Sequence, residues 1–91
     1  MRLEWDEEKR LINARKHGID FADVAQVFEG DVLILEDDRF EYDETRYIVF
    51  GLFYGRVIAV AYTMRGEVMR IISARKASKH EEQNYFKHLV D

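Results

Sequence analysis

The 91-residue sequence contains no cysteine, no proline and only five glycines. The lack of cysteine excludes disulfide staples, thiolate nucleophiles and Cys-ligated zinc, so stability rests on packing. Without proline, repeats or low-complexity tracts there is no internal linker, and residues 1–91 read as one domain. No apolar run approaches the roughly 20 residues that span a bilayer. The first residues, MRLEWDEEKR, lack the apolar core of a signal peptide, so the expected location is the cytoplasm. There is no Gly-rich phosphate loop, and neither Ser73 nor Ser78 lies in a G-x-S-x-G elbow. Nucleotide hydrolysis and serine hydrolase chemistry both lose their usual signatures. The histidines and acids have no metal-ligand spacing, and the adjacent His80 and Glu81 diverge on a helix, so no metal or other cofactor is expected.

Hydrophobic residues make up 47% of the chain, enough for a folded core. The formal net charge of −4 argues weakly against nucleic acid, but the charge is unevenly spread. Residues 29–44 hold eight acids and one base, Arg39; residues 65–80 hold five bases (Arg65, Arg70, Arg75, Lys76, Lys79) and one acid, Glu67. The basic segment is the one suited to face phosphate.

Leu3 and Trp5 alternate with Arg2 and Glu4, as in a brief edge strand or an extended lead-in. Asp6 as N-cap, Glu7 and Glu8 in the first turn, Lys16 and His17 in the last and Gly18 at the stop define a first helix. Asp20 caps a second, whose Phe21, Val24, Ala25 and Phe28 fall at helical spacing. VLILE, RYIVFGLF, RVIAVAYTM and EVMRIISA then read as strands. The Tyr54-Gly55 and Arg65-Gly66 breaks make the last three an antiparallel meander. A final helix starts near Ala77 or Ser78. The expected fold is α+β: an antiparallel four-stranded sheet with two N-terminal helices and one C-terminal helix.

Bases crowd the last strand-to-helix junction, RIISARKASKHEE, where the helix dipole favours an anion in front. Alternation places Arg70 with Val68, Ile72 and Ala74, and Arg75 on the opposite face. Each arginine either pairs with an acid or binds phosphate bidentately. Ser78 and Glu81 form a capping box, the plainer account of this region, while Lys76 and Lys79 are ordinary solvated lysines unless phosphate approaches. His17 is the side chain best matched to proton transfer near neutral pH, although a base before a Gly cap also simply complements the dipole. His80 could serve the same junction. Tyr62 and Tyr85 either fill the core or stack an unpaired base.

The stretch EWDEEKRLINARKHGIDFADVAQVFEGD followed by RIISARKAS resembles the BrnT family of toxins from bacterial type II toxin-antitoxin systems. Its marks are Trp5-Asp6, Lys9, Asn13, Lys16 to Gly18, Phe21, Val27-Phe28, Arg46, Gly51 and Arg70 to Arg75. The resemblance implies a RelE-like, metal-free ribonuclease that arrests translation. It also implies neutralisation by a BrnA-like antitoxin carrying a ribbon-helix-helix part, through which operator DNA is bound. On this reading the anion is RNA phosphate, on the ribosome or free. Arg70 and Arg75 stabilise the transition state, His17, Tyr62 and Tyr85 are candidates for proton transfer, and Lys16, Arg65, Lys76, Lys79 and His80 contact RNA. After RIISAR the chain departs from the Arg-rich continuation of many relatives. The competing function is a catalytically inactive, protein-binding co-repressor whose basic junction docks an antitoxin.

Overall fold

In a computed structural model, residues 1–38 and 43–90 are described. Arg39 and Glu41 of the acidic segment, and the middle of the DDRFEYDET connection, lie outside the described residues. Five strands, β1 (Arg2–Glu4), β2 (Leu33–Asp37), β3 (Arg46–Phe53), β4 (Arg56–Arg65) and β5 (Val68–Lys76), form one sheet in the order β1-β5-β4-β3-β2. Helix α1 (Glu7–His17), a 3₁₀ segment (Phe21–Glu29) and helix α2 (Lys79–Val90) complete the α+β fold.

The sheet is therefore five-stranded and mixed, which corrects the expected four-stranded antiparallel one. Arg2, Leu3 and Glu4 pair in parallel with Val68, Met69 and Arg70. Three residues carry too little alternation to distinguish a strand from a lead-in, and the partner that makes them a strand lies at the far end of the sequence. The second helix is also corrected in type. A 3₁₀ helix repeats every three residues, so Phe21, Val24 and Val27 align and are buried while Ala25 is exposed.

Two turns close the meander. Tyr54 (φ 50°) and Gly55 (φ 81°) both take the left-handed region, the geometry of a two-residue I′ hairpin. The second turn is centred on Gly66 and Glu67, one residue later than the Arg65-Gly66 break.

The sheet is covered unequally. On one face Ile58, Val60, Tyr62, Met69, Ile71 and Ala74 pack with Ile19 and the buried side chains of the 3₁₀ segment. At Gly51 the 3₁₀ segment comes so close that an added Cβ would lie 2.4 Å from Val27 Cγ1. On the other face Phe50, Val57 and Ala59 form a smaller core with Tyr85, the one buried side chain of α2 among the described residues. The Tyr85 hydroxyl donates to the Asp31 carbonyl at 2.8 Å.

A bulge in β5 changes which side chains share a face. Ala61 faces Ser73 but Tyr62 faces Ile71, so Ile72 is the extra residue. Because Thr63 opposes Arg70 and Ala59 opposes Arg75, both arginines and Ser73 point to the α2 face. The simple alternation that separated Arg70 from Arg75 is corrected by that one residue.

Candidate nucleic-acid interface

Asp6 accepts a hydrogen bond from Lys9 N at 3.1 Å and starts α1; Gly18 (φ 71°) ends it. The helix lies against the edge of β5 that β1 leaves uncovered, and Asn13 makes the junction. Its amide donates to the Ala74 and Ile19 carbonyls, both at 2.9 Å, and its side-chain oxygen accepts from Ala74 N at 3.1 Å. One side chain thus pairs with β5 as a strand residue would, and all its polar atoms are satisfied. One turn later the same helix carries Lys16 and His17.

Beside this junction is a shallow concavity of about 220 Å³ lined by His17, Gly18, Phe53, Tyr54, Arg56 and Lys76. Arg56 and Lys76 also line the next hollow, toward α2, with Val57, Ala77 and Glu82. On its other side His17 is shared with a depression containing Lys9, Ile12, Lys16 and Ser73. Shared residues make this one continuous surface carrying Lys9, Lys16, His17, Arg56 and Lys76, with Glu82 as the acid at its end. Such spacing of cations along a groove suits a polyphosphate backbone.

The arginines of the junction are engaged by acids. Arg70 pairs with Glu4 at 2.6 Å, tying β1 to β5 through side chains as well as backbone. Arg75 makes a bidentate pair with Glu81 at 2.8 and 3.0 Å. Glu81 also accepts from Ser78 N at 2.8 Å, while Glu81 N donates to Ser78 Oγ at 3.2 Å, completing the capping box. Hydrogen bonds from Arg75 and Ser78 overcome partial burial and hold the Glu81 carboxyl down at about 2. Arg10 bridges Glu7 and Asp20, which raises its already high pKa and fixes α1 to the start of the 3₁₀ segment.

Of the residues singled out in the sequence, His17, Lys16 and Lys76 come together, with Arg75, Lys79 and exposed His80 at the neighbouring start of α2. Arg65 does not. It opposes Val68 at the far end of β5 from Lys76, on the order of 25 Å away at about 3.3 Å per residue. Tyr62 is 5% exposed, on the opposite face from Arg70 and Arg75, stacked on Tyr47 at 5.4 Å, and burial raises its pKa. Tyr85 is buried under α2, where desolvation and then Asp31 raise its pKa. Lys9 and Arg56 were not among the candidates. The signal for Arg56 was its position directly after a tight turn, which puts it at the strand end near Lys76.

The sequence matches the family described as ribonuclease toxin, BrnT, of type II toxin-antitoxin systems, over residues 5–81. The chain belongs to the BrnT family. Membership brings with it a toxin-antitoxin setting and a protein antitoxin as partner. The matched span includes α1, the whole sheet from Trp5 onward and the Ser78–Glu81 box, so every cation of the groove belongs to the BrnT unit. No curated protein matches the sequence. Among the described residues no helix is long and apolar enough to cross a membrane.

Proposed function

We propose that this BrnT-family chain is a metal-independent endoribonuclease that stops translation by cutting RNA across the His17–Arg56–Lys76 groove. The observation that carries the reading is the continuity of five bases over adjoining hollows in a chain of net charge −4. In this reaction the ribose 2′-oxygen attacks the adjacent phosphorus. The P–O5′ bond breaks, leaving a 2′,3′-cyclic phosphate and a 5′-hydroxyl. His17 takes the 2′-hydroxyl proton, Arg56 neutralises the charge that grows on the phosphoryl oxygens, and Lys76 protonates the leaving oxygen. Arg75 exchanges Glu81 for an RNA phosphate. Lys16, Lys79 and His80 hold the flanking strand, and Arg70 secures β1. A BrnA-like antitoxin with a ribbon-helix-helix part neutralises the toxin and links it to operator DNA.

The test is cleavage of purified RNA in EDTA by the wild type, His17→Ala and Arg56→Ala/Lys76→Ala, each shown to be folded by circular dichroism. We expect wild-type cleavage to persist and His17→Ala to be slower by about 10²–10⁴-fold, the usual range for a proton-transfer group. Equal rates for wild type and His17→Ala would remove His17 from the mechanism. A second reading is a catalytically inactive co-repressor. The Arg70–Glu4 and Arg75–Glu81 pairs favour it, because they occupy the two guanidinium groups of the junction. It prevails if folded wild type neither cuts RNA nor arrests growth, with or without ribosomes.

A further inference from the structure

The α2 face carries a second groove, separate in residues and in chemistry from the basic one. Its floor is apolar: Leu33, Leu35, Ile48 and Phe50, from β2 and β3, enclose about 220 Å³ with Asn84 of α2. Among the described residues its charged lining is acidic, namely Glu36, Asp37 and Glu81. Glu81 is paired with Arg75 in this structure, and Asp37 also has a partner, but Glu36 is exposed, as is Asp38 beside it.

Two further observations indicate an unfilled surface. Leu35 is 50% exposed although it points over the sheet toward α2, and Phe86 and Leu89 of α2 are 45% and 41% exposed. Strand β2 is also the last in the sheet, so among the described residues no strand pairs with its outer edge. A free strand edge with half-exposed apolar side chains is a template for a further strand.

We infer that this groove receives an extended, apolar and lysine- or arginine-bearing segment of the antitoxin, laid along the outer edge of β2. The inference rests on the toxin reading for the existence of that partner and adds its docking place. Charge complementarity selects the occupant. RNA is repelled by Glu36 and Asp38, whereas an added strand would fill the hollow over Leu33 and Leu35 with one set of alternate side chains and, with the other set, place cations against Glu36, which alternation in β2 turns to the opposite face of the strand. The antitoxin then grips a surface other than the cationic groove.

The test uses the full chain and the purified protein encoded by the adjacent gene. Binding is measured by calorimetry at 50 and 300 mM salt, for wild type, Leu35→Lys and Glu36→Lys. Both substitutions are at exposed positions, with circular dichroism confirming the fold and RNA cleavage confirming the other groove. Wild-type binding that weakens with salt, and at least a 10-fold loss in each variant with RNA cleavage unchanged, would support the inference. Variants that bind like wild type overturn it. So does a partner whose binding is lost in Lys16→Ala/Lys76→Ala instead, or a self-dimer abolished by Leu35→Lys. If wild type cuts RNA but ignores its neighbour, the docking inference fails alone. If it does neither, the toxin reading fails with it.

Discussion

Asn13 makes three hydrogen bonds that join α1, the Ile19 turn and β5, at 7% exposure. Removing it leaves a buried amide hydrogen and two carbonyls without partners, each costing about 1–3 kcal/mol. Asn13→Ala is expected to lose about 3 kcal/mol in urea unfolding, and Asn13→Asp at least as much, since a carboxylate would face two carbonyl oxygens. Glu81 gives a pH signature. In the folded protein its carboxyl is held down at about 2, below its ordinary value of 4.5, so the unfolded chain binds the proton more readily. The stability it contributes is full above about 4.5 and is lost as pH falls towards 2. After allowance for solvent screening of a partly exposed pair, that is about 1 kcal/mol. Glu81→Gln should flatten this part of the stability profile.

Among the elements, Gly51 and the 3₁₀ segment are mutually dependent. Gly51→Ala would drive a methyl into Val27 Cγ1 and bring it to 3.2 Å from the Val27 carbonyl, so the segment must move. We expect a loss of about 1–3 kcal/mol, read from urea midpoints. Element order, both caps of α1, the capping box of α2 and the meander were legible because local signals carry them: Asp6, Gly18, Ser78–Glu81 and Tyr54-Gly55. What was not legible is non-local. Nothing near Leu3 reveals Met69 as its partner, and nothing in RIISAR reveals that Ile72 bulges. The same limit shaped the site. Lys16, His17 and Lys76 were visible as residue types, but Arg56 joins them only through the hairpin, and Tyr62 is removed from Arg70 and Arg75 by facing the other way.

At the scale of the whole molecule, the segregation of charge has a measurable outcome. With about three to five phosphates engaged by the groove, log K for a single-stranded RNA should fall against log salt with a slope of about −2 to −3.5. Arg56→Ala/Lys76→Ala should make that slope shallower by about 1.4, whereas a change at Leu35 should not alter it. Finally, the parallel pairing of β1 with β5 has a consequence for the life of the protein. The first strand waits, with its edge exposed, until residues 68–76 have been made, and Asn13 has no strand to grip before Ala74 appears. Lys76 is the last of the five groove bases to leave the ribosome. A nascent chain therefore lacks both the scaffold of the groove and the last of its bases until residue 76 has emerged.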